Sequence, residues 1–371
     1  MIGQTLSPFT ASRRSRKPKA ALTAVFAVAI VLFGSACAVQ PGVVRFGNEQ
    51  AGLTFPFPPE APRFEYLGDL TGEANIDAGA SSRPWPTRML RWLVGLASNA
   101  EKERTLSRPQ SGVFDPHSGR NFVTDVGRHS VFVFDESGGE LSIWDQASTD
   151  KGFVTPIAIA LGSEGEVLVT DADLGVWVRL SSNGTPLGMY GQGLLKRPTG
   201  IARDPLSGDV YVADTHSHDI KVFDGHGAWI RTMGGKGSAP GEFNSPTHIA
   251  LRDGKLYVTD TLNSRVQVLK LNGDPLKSIG ERGLFLGNLP RPKGVAVTEN
   301  GQIYVVESFY DYLLVYDADG QFLLPVGGTG SEPGQFYLPS GVWIDGAGRV
   351  FIADTFNSRV VALKTIPGSR E

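Results

Sequence analysis

The chain has 371 residues, of which 41% are hydrophobic and 20% charged, and it contains 46 glycines and 24 prolines. This composition is typical of a globular protein, and the regular spacing of Gly and Pro favours many short strands joined by tight turns over a helical fold. The single cysteine, Cys37, excludes an internal disulfide.

Residues 1–36 are predicted to be an export signal. A basic run that includes Arg13, Arg14 and Lys17 precedes the apolar run of residues 20–34, and Ser35 and Ala36 come directly before Cys37. This arrangement resembles the lipobox of bacterial lipoproteins, in which the cysteine thiol receives diacylglycerol after cleavage. The alternative is an uncleaved signal anchor, because the apolar run approaches membrane-spanning length. Both alternatives place the remaining chain outside the cytoplasm, on the periplasmic or cell-surface side of a membrane.

Removal of this signal changes the charge of the chain. Residues 1–36 hold five basic residues and no acidic residue, so 30 Lys+Arg remain against 38 Asp+Glu and the net charge becomes −8. A chain with this balance has no general attraction for a phosphate backbone, so nucleic acid is not an expected partner.

Residues 37–61 are predicted to form a tether between the membrane and the folded domain, because four prolines interrupt a segment with few predicted strands. The folded domain is expected to begin at residue 62. Within it, residues 86–97 predict one short helix, since Met89, Leu90 and Leu93 recur at helical spacing after Pro86.

Six repeats occupy the rest of the chain. An acidic residue recurs at steps of 46, 43, 46, 47 and 47 residues. The six anchors are Asp125, Asp171, Asp214, Asp260, Glu307 and Asp354. A leading proline runs in phase with them, at Pro109, Pro156, Pro198, Pro246, Pro292 and Pro339. Each unit reads as four antiparallel strands in about 45 residues, which predicts the blades of an all-β, six-bladed β-propeller.

The sixth repeat stops after its third strand, "RVVALKT", and therefore lacks a fourth. The segment "RFEYLG" at Arg63–Gly68 has the pattern that ends other blades, such as "LKSIG" at residues 276–280. Because an open ring would expose an unpaired strand edge, we expect this upstream strand to complete the last blade.

The pattern "YVTDTLNSRV" at Tyr257–Val266, repeated as "FIADTFNSRV" at Phe351–Val360, resembles NHL repeats. The chain thus resembles an exported bacterial NHL-repeat six-bladed propeller protein. This resemblance covers residues 62–371 and weakens in blades two and five. It implies a propeller fold but no single activity, because the family includes RNA-binding ubiquitin ligases, sensor domains and an amidating lyase.

The repeated acidic residues are interpreted as structural. Asp260 is expected to accept hydrogen bonds from turn amides and from the nearby Asn263 and Arg265, and Asp354 is expected to do the same with its own neighbours. Six equivalent copies fit a scaffold better than one active site.

Departures from the repeat point to a candidate binding face around the channel mouth. Positions just after the leading prolines are expected to ring this mouth, and three aromatic residues occupy a turn that is polar in other blades. The predicted face consists of Gln110, Thr199, Thr247, Lys293, Ser340, Phe309, Tyr310 and Tyr312. Arg108, Arg197 and Arg291 precede leading prolines and would make the mouth positive, which favours an anionic ligand.

Three histidines are candidate metal ligands. His216 and His218 lie in a turn of blade three, and His248 follows the leading proline of the neighbouring blade. Imidazoles in this arrangement suit zinc, and calcium is the alternative metal, although the main expectation is that the protein has no cofactor. The resemblance argues against the amidating lyase, which holds zinc with histidines from several blades.

The sequence therefore predicts an extracytoplasmic, membrane-anchored propeller that serves as a protein- or ligand-binding or assembly module. The expected partner is a protein of the cell envelope or a small anionic ligand. The alternative is a metal-dependent hydrolase or lyase at the channel mouth, and the sequence leans against an enzyme.

Overall fold

The structure is a computed structural model that describes residues 42–50, 52–77 and 104–366. The predicted signal, Cys37 and the predicted helix at residues 86–97 lie outside these ranges. The described chain forms six antiparallel sheets, five of four strands and one of five, together with one two-stranded sheet. The predicted all-β, six-bladed propeller is confirmed.

The first three blades have their strands in chain order from the channel outwards. Blade one consists of β5 (Pro109–Asp115), β6 (Arg120–Asp125), β7 (Ser130–Asp135) and β8 (Glu140–Trp144). Blade two consists of β9 (Pro156–Leu161), β10 (Val167–Asp171), β11 (Val176–Leu180) and β12 (Pro186–Tyr190). Blade three consists of β13 (Pro198–Arg203), β14 (Val210–Asp214), β15 (Asp219–Phe223) and β16 (Trp229–Met233).

The next two blades repeat this order, and the last one includes strands from the start of the described chain. Blade four consists of β17 (Pro246–Arg252), β18 (Lys255–Asp260), β19 (Arg265–Lys270) and β20 (Pro275–Ile279). Blade five consists of β21 (Pro292–Val297), β22 (Ile303–Glu307), β23 (Tyr312–Tyr316) and β24 (Phe322–Gly327). Blade six consists of β25 (Val342–Ile344), β26 (Arg349–Asp354), β27 (Arg359–Thr365), β3 (Phe64–Leu70) and β2 (Thr54–Phe55).

The strands at the middle of each blade are buried on both faces. Every residue of β10, β14 and β22 is buried, whereas β16 and β20 on the outer rim each have three exposed residues out of five. A middle strand packs against blades on both of its sides, so continuous apolar runs replace the alternation expected of a one-sided sheet.

The hydrophobic core is divided among the six contacts between neighbouring blades. Each of the six buried clusters in the described chain joins side chains of two adjacent blades. One cluster joins Phe132 of blade one to Phe351 of blade six, and there the Trp343 indole donates a buried 2.9 Å hydrogen bond to Asn121 Oδ1. The first and last blades are therefore packed together like any other neighbouring pair.

The predicted closing strand is confirmed. Strand β3 pairs antiparallel with β27, with Leu70 opposite Val360 and Phe64 opposite Thr365. A buried ion pair reinforces the junction, because Arg359 Nη1 lies 3.0 Å from Asp69 Oδ2. The Tyr66 hydroxyl donates a 2.7 Å hydrogen bond to the other oxygen of Asp69. The closing strand thus supplies the missing fourth strand of blade six and the carboxylate that pairs with Arg359.

The segment predicted as a tether differs from that prediction where it is described. Residues 54–55 form β2, which pairs with the closing strand, and Val43–Val44 (β1) pairs with Ile76–Asp77 (β4). The Phe55 ring is buried in the contact between blades five and six. The apolar residues between the prolines pack on the propeller, a feature that proline content alone conceals. Cys37 and residues 38–41 lie outside the described ranges.

Short 3₁₀ turns lie at Glu73–Asn75, Thr261–Asn263 and Thr355–Asn357. No helix within residues 42–50, 52–77 and 104–366 has the length and apolar character needed to cross a membrane.

Replacing Asp69 by Ala should lower the free energy of unfolding by about 3 kcal/mol, because removing one partner of a buried ion pair leaves the other charge uncompensated. Arg359 would retain Asp354 as its second carboxylate partner at 2.8 Å, so the loss should fall at the low end of the range for buried pairs. Urea unfolding measures this difference.

Asp274 provides the matched control, since it forms an exposed pair with Lys270 at 3.7 Å. Replacing Asp274 by Ala should change the free energy of unfolding by less than about 1 kcal/mol. Equal effects of the two substitutions would contradict the role assigned to Asp69.

Candidate functional site

The loops before the first strands and the turns between the second and third strands lie on one face of the propeller, which we call the mouth face. In blades one to five the leading proline is opposite the acidic anchor that ends the second strand, for example Pro109 opposite Asp125 and Pro198 opposite Asp214. The first strand of these blades therefore begins on the face where the second strand ends.

The acidic anchors hold the leading loops in place. Asp214 accepts 2.8 Å hydrogen bonds from the backbone N–H groups of Lys196 and Arg197. Asp125 accepts the N–H groups of Ser107 and Arg108 at 2.6 and 3.0 Å. A buried carboxylate needs such donors, and a leading loop needs acceptors for amides outside the strand ladder.

Two blades carry the complete turn motif. Asp260 Oδ2 accepts a 2.8 Å hydrogen bond from the Asn263 amide and a 2.9 Å hydrogen bond from Arg265 Nε. Asn357 and Arg359 give the carboxylate of Asp354 the same two contacts, each at 2.8 Å. The predicted partners of Asp260 and Asp354 are confirmed, and these acids serve the scaffold.

Threonines next to the anchors link one blade to the next. The hydroxyls of Thr215, Thr261 and Thr355 donate to the carbonyls of Pro246, Pro292 and Pro109 at 2.7, 2.9 and 2.8 Å. Because those carbonyls belong to the leading prolines of the following blades, the bonds fix the spacing of the innermost strands.

Three of the predicted face residues take part in this linkage. The Thr199 hydroxyl donates to Thr247 O at 2.9 Å, the Thr247 hydroxyl lies 2.8 Å from that of Thr261, and the Ser340 hydroxyl donates to Gln110 O at 2.5 Å. Their side-chain oxygens therefore have a structural use at the mouth. Gln110 Nε2 donates to the backbone oxygens of Pro109 at 3.3 Å and Arg108 at 3.5 Å, and the side chain is half-buried.

The three candidate metal ligands occupy different surroundings. His216 is exposed, while His218 is half-buried and its Nδ1 accepts a 3.0 Å hydrogen bond from the Ser245 N–H. His248 is only 8% exposed. Residues 42–50, 52–77 and 104–366 contain no group of three His, Cys, Asp or Glu side chains arranged to hold a metal ion.

His248 is the most unusual of the three. Burial, with a smaller contribution from the charge of Lys293, lowers the pKa of His248 to about 3. Neither ring nitrogen has a hydrogen-bond partner in the described chain. A neutral imidazole with two unmet hydrogen-bonding atoms therefore lies on the innermost strand of blade four, and the neighbouring innermost strand of blade five carries Lys293.

The predicted aromatic turn of blade five lies beside a cleft of about 190 Å³. Tyr310, Tyr312 and the buried anchor Glu307 contribute to its wall, together with the loop of residues 284–288. Phe309 is 55% exposed and packs edge-on against Tyr310, with ring centroids 4.8 Å apart. Of the three predicted aromatic residues, Phe309 is the one that presents most of its ring to solvent.

Sequence reasoning missed how far this apolar surface extends. Several exposed side chains share the mouth side of blades four, five and six: Leu262, Leu284, Phe285, Leu286, Phe309, Tyr337 and Phe356. We call this set the apolar crescent. The signal was present in the sequence, because Leu262 and Phe356 occupy the position in their turns that Phe309 occupies in blade five.

A second cavity, of about 580 Å³, lies on the opposite face and was not predicted. Phe64, Phe114, Tyr304 and Ile344 contribute apolar wall, and Arg252 contributes charge. Burial raises the pKa of Tyr304 to about 12. The lining residues come from turns between first and second strands and from strands of several blades, so nothing in their sequence spacing marks them as a group.

A family model described as a 6-bladed beta-propeller matches residues 204–282, which run from blade three to the end of blade four. The NHL assignment itself stays a prediction. A solved structure of a protein of unknown function from Bacteroides thetaiotaomicron superposes with a TM-score of 0.58 at 15% identity. That comparison covers 73% of this chain and 71% of the other, and it supports the fold alone.

Two curated relatives match part of the chain. Protein SUPPRESSOR OF QUENCHING 1, chloroplastic, from Arabidopsis thaliana is 25% identical over 213 residues, which are 46% of this chain and 20% of that protein. Peptidyl-glycine alpha-amidating monooxygenase A from Xenopus laevis is 27% identical over 209 residues, which are 49% of this chain and 22% of that protein. The chain thus spans about a fifth of the length of these relatives.

Replacing His248 by Gln should make the protein less sensitive to acid. The folded-state pKa of His248 is about 3, against roughly 6.5 for an unfolded histidine, so only the unfolded state takes up the proton between these values. The wild type should therefore lose about 1.4 kcal/mol of stability per pH unit below 6.5 through this group, or about 2 kcal/mol by pH 5. Urea unfolding at pH 7 and pH 5 measures the difference.

His216, which is exposed, supplies the control for that experiment. The pH profile of a His216→Gln variant should follow that of the wild type. Parallel profiles for wild type and His248→Gln would show that His248 does not remain neutral in the folded protein.

Proposed function

We propose that the protein is an exported, membrane-anchored propeller that binds a partner protein through the apolar crescent on its mouth face. One observation carries this proposal: a single position in the turn between the second and third strands changes character halfway around the ring. In blades one, two and three it holds Gly127, Asp173 and His216, whereas in blades four, five and six it holds Leu262, Phe309 and Phe356.

The three apolar side chains at this position point to recognition rather than packing. Leu262, Phe309 and Phe356 are 53%, 55% and 55% exposed. The hydrogen bonds that hold these turns in place are made by neighbouring residues, such as Asp354 and Thr355 in blade six. Large apolar side chains that a scaffold leaves in solvent, side by side, are the usual mark of a protein interface.

Adjacent loops enlarge the same surface. Tyr337 packs edge-on against Phe356 at 5.8 Å between ring centroids, and Phe285 is 82% exposed in the loop before blade five. Aromatic side chains bury a large area at a small cost in conformational entropy, because they have few rotatable bonds. The crescent therefore has the composition of an interface core.

The predicted anchor favours a protein over the bilayer as the occupant. Gly42, the first described residue, lies against Gly139 in the turn between β7 and β8, on the face opposite the mouth. Four residues separate Cys37 from Gly42, and the five residue-to-residue steps between them span at most roughly 17 Å. A lipid on Cys37 would hold the opposite face near the membrane, so the crescent would point away from it.

A photo-reactive residue placed at position 309 or 356 of the full-length chain, in the cells that produce it, tests the crescent. We expect both positions to cross-link one and the same protein. Positions 173 and 216 are matched controls, since they are exposed and equivalent in the repeat but lie on the polar half. Cross-links of equal yield on both halves, or cross-links only to lipid, would contradict the proposal.

Replacing Cys37 by Ala tests the anchor separately. If the thiol carries the lipid, the variant should lose the lipid mass and leave the membrane fraction. Mass spectrometry and membrane fractionation measure the two effects. A variant that remains fully membrane-bound would instead indicate an uncleaved signal anchor formed by the apolar run of residues 20–34.

A further inference from the structure

We propose a second, independent site on this molecule: blades three, four and five form an oxyanion site at the channel mouth, where Lys293 and His248 contact a small carboxylate or phosphate. Arg197 and Arg291 supply the surrounding positive field. This site does not depend on the apolar crescent or on the membrane anchor.

Hydrogen bonds between neighbouring blades bring these residues together. The Thr199 hydroxyl reaches Thr247 O at 2.9 Å, and the Thr261 hydroxyl reaches Pro292 O at 2.9 Å. Arg197, His248 and Lys293 each lie within two residues of one of these contacts. Three consecutive blades therefore place their basic side chains around the same part of the channel.

His248 stands out against the equivalent positions of the other blades. The second residue after each leading proline is small elsewhere: Ser111, Ala158, Gly200, Gly294 and Gly341. His248 thus puts the single large polar side chain into this layer of the channel wall. Both of its ring nitrogens are buried without a partner in the described chain. Unmet polar atoms of this kind are rare in native proteins and mark the place of a ligand or bound water.

Lys293 is the only charged residue among the first positions after the leading prolines. Its ammonium makes no hydrogen bond or ion pair with any residue in the described ranges. Burial lowers the pKa of Lys293, and the nearby charges of Arg291 and Arg197 lower it further. A half-buried ammonium whose strongest charged neighbours are cations would be stabilised by an anion from outside the chain.

The carboxylates nearest to these cations already have partners. Asp173 pairs with Arg197 Nη1 at 2.8 Å, and Glu307 accepts backbone N–H groups, including that of Arg291 at 2.8 Å. They do not neutralise Lys293. The same positive field disfavours a metal cation at His248, which separates this site from the zinc site considered from the sequence.

The two unpartnered nitrogens narrow the chemistry of the ligand. A neutral imidazole donates one hydrogen bond and accepts one, while an ammonium only donates. A hydroxycarboxylate or a hydrogen phosphate offers oxygen acceptors to Lys293 and His248 together with a hydroxyl that can donate to the second nitrogen. We therefore choose inorganic phosphate and malate as probes.

Calorimetry and thermal unfolding of residues 38–371 with each probe test the site, since these residues include every described strand. We expect at least one probe to bind the wild type and raise its Tm. Lys293→Met should weaken that binding by at least about tenfold, the effect of losing one charge-assisted hydrogen bond. Lys255→Met, an exposed position on the opposite face, should bind as the wild type does.

The same variants separate binding from a structural role. Without a probe, Lys293→Met should unfold at the same temperature as the wild type or at a higher one, because an apolar side chain of similar length replaces an unpaired, half-buried charge. His248→Phe, as a second variant, should also weaken binding about tenfold. Failure of both probes to bind the wild type at millimolar concentration, or unchanged binding in both variants, would overturn the proposal.

Discussion

The antiparallel pairing of β3 with β27 is the contact on which the rest of the molecule depends. Each blade buries its apolar faces only against its neighbours, so an open ring would expose two such faces and an unpaired strand edge. The pairing joins Asp69 to Arg359, which lie 290 residues apart in the chain. Ordering so long a loop has a cost in entropy that grows slowly with length, and the strand pairing and buried ion pair offset it.

The repeat then frees one position per blade for recognition. The anchor carboxylate fixes the leading loop, as Asp260 does for Asn244 N at 2.6 Å, and the adjacent Thr261 hydroxyl fixes the next blade. The residue that follows, Leu262 in this blade, has neither task and extends into solvent. The same division of labour in blade six leaves Phe356 exposed. A rigid scaffold with a variable outer position is well suited to binding.

The sequence could predict the fold because the repeat is a local pattern copied along the chain. The anchors, the leading prolines and the missing fourth strand of the sixth repeat sufficed to place Arg63–Gly68 in the last blade, and β3 lies there. The site was harder to predict, since it depends on contacts between blades. Thr199 and Ser340 were assigned to a binding face, yet their hydroxyls are used between blades. The burial of His248 could not be predicted either, because it depends on how the neighbouring blades pack around the start of β17.

The mouth face consequently divides into two surfaces of opposite chemistry that meet in blades four and five. Lys293 follows the leading proline of blade five, while Phe309 extends from the turn at the end of the second strand of the same blade. Arg291 links the two, because its guanidinium lies 5.9 Å from the Phe309 ring centroid and its charge acts on Lys293. An anion that neutralises Lys293 would therefore change the electrostatic surroundings of the residue that supports Phe309. Arg291 is thus the residue at which the proposed oxyanion site and the apolar crescent meet.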